Sequence, residues 1–358
     1  MREGLEFDGA NSLPRIETSG EYVAYWYSQQ DPSSFHQVFV WDLDKTYLDT
    51  RIDSLSGLFQ AVVERSLSKK NIPGTAELIQ VLAQRYTQGL RSGASEGVFP
   101  LFFVTASPPQ MEERIRDKFA FDLIRPVCCY FKNNLKNLRP GRFRLLSKHV
   151  GFKLLSLLAL RSRLSSQVVQ ILWGDDSESD AVIYNLYSDI CADRIDDGEL
   201  RDLLRRKFSV TEESVEQILR YKRTLPKWDP VKRIYINLAL DTDPEYYFKF
   251  GLRTVPTFNS FQVALDLASD SYLTAEDVLS IAEVLVTRYA VTREQVVMSF
   301  LDYLRRRPLD DSLSMTIINQ FIQKGFVKRF ERPSSLLAEN KSAIPWVPER
   351  VDYWNDYR

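Results

Sequence analysis

Two histidines, His36 and His149, and three cysteines, Cys128, Cys129 and Cys191, are all that a chain of 358 residues contains. A zinc finger or thiolate cluster needs four such ligands in paired spacing, and the sequence has no such spacing. An odd cysteine count, with two of the three adjacent, argues against a disulfide scaffold. Serine or cysteine nucleophiles activated by histidine would have to run through His36 or His149, and neither sits in a catalytic motif. Long apolar runs are missing too: the densest, Leu154–Leu160, falls far short of the roughly 20 residues that span a bilayer. The N-terminus, MREGLEFDGANSLPRIE, lacks the apolar run of a signal peptide, so a cytoplasmic protein with no integral membrane segment is expected. A formal charge of −1 gives no global argument for a nucleic-acid partner. An enzyme of this composition would rest on carboxylates, lysine and hydroxyls.

What the chain does have is apolar bulk: 44% hydrophobic and 27% charged residues are enough for a sizeable core and about two domains. Residues 1–34 are polar and aperiodic and are expected to form an arm laid over the domain. Dense apolar runs follow at Gln37–Asp42, Phe99–Thr105, Val168–Trp173 and Val231–Leu238, each of which reads as a buried strand. Ile124–Tyr130 is a weaker strand that Pro126 would confine to a sheet edge. Helical patterns fall between them at Thr75–Gln88, Gln110–Phe119, Lys153–Arg163 and Asp180–Ser188, the second opened by Ser107-Pro108-Pro109 with Ser107 as its cap. This alternation predicts an α/β fold, a parallel sheet with helices on both faces. From about residue 271 the pattern turns helical, with threonine caps at LTAEDV (Leu273–Val278) and VTREQV (Val291–Val296). The expected organisation is an arm over 1–34 and an α/β domain over 35–270 with a helical insertion near 193–228. A helical C-terminal domain with an extended tail would occupy 271–358.

Four pieces of this chain carry chemistry. Asp42-Leu43-Asp44-Lys45-Thr46 ends the first strong strand, at the sheet edge where α/β proteins bind ligands. Two acids at i and i+2 there can divide the work of nucleophile and general acid/base. Thr105-Ala106-Ser107-Pro108 ends the next strand and opens a helix, a setting that suits an anion as well as an ordinary cap. Gly174-Asp175-Asp176-Ser177-Glu178-Ser179-Asp180 places four acids in a short stretch without a base, which repel one another unless a cation sits among them. Oxygen ligands without histidine suit Mg²⁺. A lysine should balance an anionic transferring group, and Lys153 or Lys148 is placed to do so.

In this order the four pieces resemble the motif set of the haloacid dehalogenase (HAD) superfamily of Mg²⁺-dependent phosphohydrolases and phosphotransferases, over roughly residues 35–265. TASP and GDDSESD are similar to signatures of the actin-patch phosphatidate phosphatase family, and GFKLLSLL resembles its lysine-bearing helix, which favours Lys153. The resemblance implies a HAD-type Rossmann-like fold and a phosphatase working through an aspartyl-phosphate. Asp42 would be nucleophile, Asp44 general acid/base, and Lys153 the stabiliser of the anionic transition state. Thr105 and Ala106 would hold the phosphoryl group, and Thr46 would support the loop. Mg²⁺ would be held by Asp42, the Asp44 carbonyl and Asp175, with Asp176, Glu178 or Asp180 completing the shell. Lys45, Thr105-Ala106 and Ala181 depart from the phosphatidate phosphatase pattern, which puts a lipid substrate in question. The segments 47–73 and 110–147 leave little room for a separate cap domain. An open cleft and a large phosphorylated substrate, lipid or other, are therefore expected unless the C-terminal helices close over it. The alternatives are a phosphatase for nucleic-acid ends or phosphoproteins, and a catalytically silent HAD fold used as a binding module. Arg305-Arg306-Arg307 and the Arg201–Lys207 group are candidates for contacting an anionic surface, against the plainer reading of solvated helix faces.

Overall fold

The strands β1 (Arg15–Thr18), β2 (Tyr22–Trp26), β3 (Gln37–Asp42), β4 (Leu101–Thr105), β5 (Cys128–Lys132), β6 (Val169–Asp175), β7 (Val231–Asn237) and β8 (Thr254–Thr257) form one sheet in the order β1-β2-β5-β4-β3-β6-β7-β8. This is a computed structural model, and it describes residues 13–49, 71–90, 97–133, 149–177, 179–307, 309–330 and 344–355. From β5 to β8 every pairing is parallel, whereas β2 pairs antiparallel with β5 and β1 with β2. The sheet is therefore mixed, and the fold is α/β.

The helices are α1 (Thr75–Leu90), α2 (Glu112–Phe121), α3 (Val150–Arg161), α4 (Asp180–Cys191) and α5 (Asp197–Asp202), the last running into a π turn at Leu203–Lys207. They continue with α6 (Glu212–Thr224), α7 (Ser260–Ser269), α8 (Ala275–Arg288), α9 (Arg293–Arg306) and α10 (Asp311–Gln323). Alternation along each strand sends side chains to opposite faces. Val38 and Val40 of β3 join one apolar cluster with Leu154 and Leu158 of α3, Ile183 of α4 and Ile218 of α6. Phe39 and Trp41 join another, with Ile79 of α1, Phe119 of α2 and Leu265 of α7. Trp41, Trp173 and Tyr235, in register on β3, β6 and β7, stack across this second face with ring centroids 3.6 and 4.9 Å apart.

Two expectations need correction. Within residues 1–34, an arm laid over the domain was expected, but Arg15–Thr18 and Tyr22–Trp26 are strands of the sheet. YVAYW shows no polar–apolar alternation because both of its faces are covered: Tyr22, Ala24 and Trp26 belong to the first cluster, and Tyr25 packs against the second. The strand expected over Ile124–Tyr130 is not at an edge. β5 starts after Pro126, so no ladder hydrogen bond is lost to the proline, and β2 and β4 flank it.

The C-terminal helices use the second face. Ile281 and Leu285 of α8, Phe300 of α9 and Phe321 of α10 lie in the same apolar cluster as Phe39 and Trp41. Of the two arginine groups, Arg306 and Arg307 turn inward, whereas Arg205 and Arg206 stay exposed, as solvated and ion-paired helix residues. Arg306 and Arg307 are buried, donating to the Pro256 and Leu252 carbonyls and pairing with Asp302 and Asp266. Arg305 pairs with Glu245, Arg201 with Glu212 and Glu216, and Arg205 with Glu212. Among the described residues no helix is long and apolar enough to cross a membrane.

Candidate active site

Asp42 closes β3, and its carboxylate is buried. The chain then turns tightly. The amides of Tyr47 and Leu48 both donate to the Leu43 carbonyl (3.0 and 2.8 Å), and the Lys45 amide donates to the Leu48 carbonyl (2.8 Å). This turn holds Lys45 at φ +56°, a left-handed conformation that costs a non-glycine residue roughly 1–2 kcal/mol. The Asn237 side-chain amide, reaching over from β7, donates to the Lys45 carbonyl (3.1 Å) and pins it.

Asp44, two residues on, is half-buried, and its Oδ2 accepts from the hydroxyls of Thr105 (3.1 Å) and Ser107 (3.2 Å). Thr105 also accepts the Ser107 amide (3.0 Å), so the end of β4 is wound around this carboxylate. Ser107 was expected as a helix cap. Instead its hydroxyl serves Asp44, and the 3₁₀ turn Pro109–Met111 begins behind Pro108 with no side-chain cap. That role was hidden because a serine ahead of prolines carries the same signature as a cap. Thr46 is buried, and Ala106 lies partly exposed between Thr105 and Ser107.

The third strand end completes the cluster. Asp175 closes β6, and Asp180 opens α4. Lys153, on the first turn of α3, lies 2.9 Å from Asp42 Oδ1 and 2.5 Å from Asp180 Oδ1, with all three side chains at most 1% exposed. Asp180 Oδ2 accepts the Asp175 amide (3.2 Å), and Asp175 Oδ1 accepts the amide and hydroxyl of Ser177. One oxygen each from Asp42, Asp175 and Asp180 falls within a span of 4.8 Å. Three buried carboxylates drawn together beside one ammonium repel one another in low-dielectric surroundings, a cost that a bound cation or protons would offset. The donor set, hard oxygens only, fits a hard divalent cation.

Of the acids considered from the sequence, these three converge. The Asp44 carboxylate is held by hydroxyls, and Asp176 Oδ2 accepts from the Ala239 amide (2.8 Å) and the Thr242 hydroxyl. Glu178 and Lys148 lie outside the described residues. His149, next to the site in sequence, sits 3.3 Å from Lys132 Nζ.

Thiol chemistry finds no footing here. Burial pushes the Cys128 and Cys129 thiols well above their ordinary range, the latter with help from Asp44 and Asp42 nearby. Tyr184, whose hydroxyl donates to the Trp173 carbonyl (3.0 Å), is likewise kept a neutral phenol by burial and then by Asp180.

Lys45, Asp175 and Asp176 form part of the wall of a cleft of about 1630 Å³. The α8–α9 corner, including Arg288, Tyr289, Val291 and Met298, lines the same cleft. The C-terminal helices thus stand beside the cleft that the sequence left open.

Fold and site together define an α/β protein with a buried carboxylate–lysine cluster at the C-terminal edge of its parallel strands. Comparison with protein families, curated proteins and solved structures returns no match.

Proposed function

We propose that this chain is a Mg²⁺-dependent phosphomonoesterase of HAD type, working through an aspartyl-phosphate on Asp42. The observation that carries the reading is the convergence of Asp42, Asp175, Asp180 and Lys153 in one buried cluster, with Asp44 two residues beyond the nucleophile and held by hydroxyls. Asp42, Asp175 and Asp180 would hold the cation, which would neutralise charge on the phosphoryl oxygens. An Asp42 oxygen attacks phosphorus as the bond to the leaving oxygen breaks. Asp44 gives its proton to that oxygen, then takes one from the water that cleaves the aspartyl-phosphate, so phosphate departs and both aspartates are restored. The hydroxyls of Thr105 and Ser107 keep Asp44 turned toward the reacting atoms, and Lys153 offsets charge gathering beside Asp42.

The test is hydrolysis of 4-nitrophenyl phosphate with and without Mg²⁺. Wild type should be active only with the cation, and Asp42→Asn should lose at least about a thousandfold in kcat, as when a covalent nucleophile is removed. Activity retained in Asp42→Asn would overturn the nucleophile. A panel of phosphatidate, phosphopeptide and 5′-phosphorylated oligonucleotide then separates the substrate classes.

A further inference from the structure

Asp176 follows Asp175 directly but faces elsewhere. Its Oδ2 accepts from the Ala239 amide (2.8 Å) and the Thr242 hydroxyl, while its own amide donates to the Asn237 carbonyl (3.1 Å). The Thr242 amide donates to the Ala239 carbonyl (3.1 Å), which closes residues 239–242 into a turn. Asn237 in turn holds the Lys45 carbonyl. The loops leaving the C-terminal ends of β3, β6 and β7 are therefore tied by one run of hydrogen bonds, two of them made to a carboxylate and so of the stronger kind.

That run supports a particular side chain. Leu240, on the clasped turn, is 93% exposed and lines the cleft together with Lys45, Asp175 and Asp176. A lone exposed leucine is ordinary. This one is held in the cleft lining by an acid that lines the same cleft, and Met298, also exposed, lines it from α9. The arrangement offers an apolar contact to whatever is attached to the phosphoryl group, and it gives Asp176 a task other than metal ligation.

We propose that Asp176 is a positioning residue which, by clasping the 239–242 turn, presents Leu240 as a specificity contact for an apolar leaving group of the phosphomonoester. This inference rests on the phosphomonoesterase reading above.

The experiment is steady-state kinetics on 4-nitrophenyl phosphate and glycerol 2-phosphate, together with Mn²⁺ affinity by electron paramagnetic resonance, on the full chain. Leu240→Ser and Thr242→Val should raise KM for the aryl ester, the first on the order of tenfold, with glycerol phosphate moving less than about twofold and kcat barely changed. Asp176→Ala should show the same KM effect, and Asp176→Asn, whose amide oxygen can accept both bonds, should restore it. Mn²⁺ affinity should stay within about twofold in Thr242→Val and Asp176→Asn. A loss of Mn²⁺ binding in Asp176→Asn comparable to that in Asp175→Asn would overturn the positioning role, as would equal KM changes for both esters. A wild type that hydrolyses neither ester would sink the phosphomonoesterase reading and this inference with it. An active wild type indifferent to Leu240 and Thr242 would sink this inference alone.

Discussion

Gly174 shows how little space the site allows. A Cβ built there would lie 2.4 Å from both Cβ and Oδ2 of Asp180, and a Cβ–Cβ overlap cannot be relieved by a rotamer change. Gly174→Ala must push Asp180 away from Lys153 and from the Asp175 amide, so cation affinity should fall about 10–100-fold, the usual cost of disturbing what orients a ligand. Isothermal titration with Mn²⁺ measures it. Cation binding should also stabilise the fold, because the three carboxylates meet only in the native state. At a hundred times Kd the gain is about 2.7 kcal/mol, read as a rise in melting temperature that Asp180→Asn should abolish. Asp42 and Asp175 were legible in the sequence because each ends an apolar strand run, whereas Asp180 and Lys153, on helices, stood there beside the alternatives Asp176, Glu178 and Lys148. Ser107 and Asn237 were not legible: each reaches a distant loop through one side-chain hydrogen bond, and nothing at short range marks such a partner.

Among elements, the parallel strands were the most legible, because burial on both faces leaves continuous apolar runs: β3 coincides with Gln37–Asp42, and β7 with most of Val231–Leu238. The Thr274 and Thr292 capping boxes also stand where the T-x-x-D and T-x-x-Q spacing put them. What was not legible is how elements are tied to each other. Asp266 of α7 is buried and bonded to Arg233 and Tyr235 of β7 (2.9 Å each) and to Tyr303 (2.8 Å) and Arg307 (3.0 Å) at the end of α9. Burial alone would raise its pKa, but the Arg307 and Arg233 guanidiniums outweigh it and hold the carboxyl below its ordinary value. The folded-state pKa is thus depressed, so its stabilising contribution is complete above the unfolded-state value and is lost as pH falls through the folded-state one. Asp266→Asn should cost about 3–5 kcal/mol near neutrality, since it takes the carboxylate from buried Arg307 and leaves Arg233 with Asp270 alone. It should also flatten the acid limb of the stability curve. Urea denaturation from neutrality into the acid range checks both, and an acid limb as steep as that of wild type would show that another carboxylate governs it.

At the scale of the whole molecule, the question is whether residues 271–358 stand apart, as their helical pattern suggested. Their buried side chains argue for one cooperative unit. Phe321 of α10 packs with its ring 6.0 Å from Phe261 of α7 and 5.6 Å from Phe300 of α9, and all three share a cluster with the strand residues Phe39, Trp41 and Phe103. The tail adds a second attachment. The Pro345 and Trp346 carbonyls accept from the Leu252 and Arg253 amides (2.9 and 3.1 Å), Arg233 lies 4.1 Å from the Trp346 ring, and Tyr353 donates to Asp189 of α4. Tail and helices therefore hold β7, β8 and α4, and of these β7 carries Asn237 and α4 carries Asp180. Phe321→Ala should cost about 3–5 kcal/mol. Because the core is shared, that loss should appear as a single calorimetric transition moved downward as a whole, and Mn²⁺ should raise the midpoint of that same transition. An independent C-terminal domain would behave otherwise: the substitution would split off an early transition insensitive to Mn²⁺, while the one that responds to the cation stayed in place. Scanning calorimetry of wild type and Phe321→Ala, each with and without Mn²⁺, distinguishes the two by whether the cation-sensitive transition moves with a mutation made far from the carboxylates.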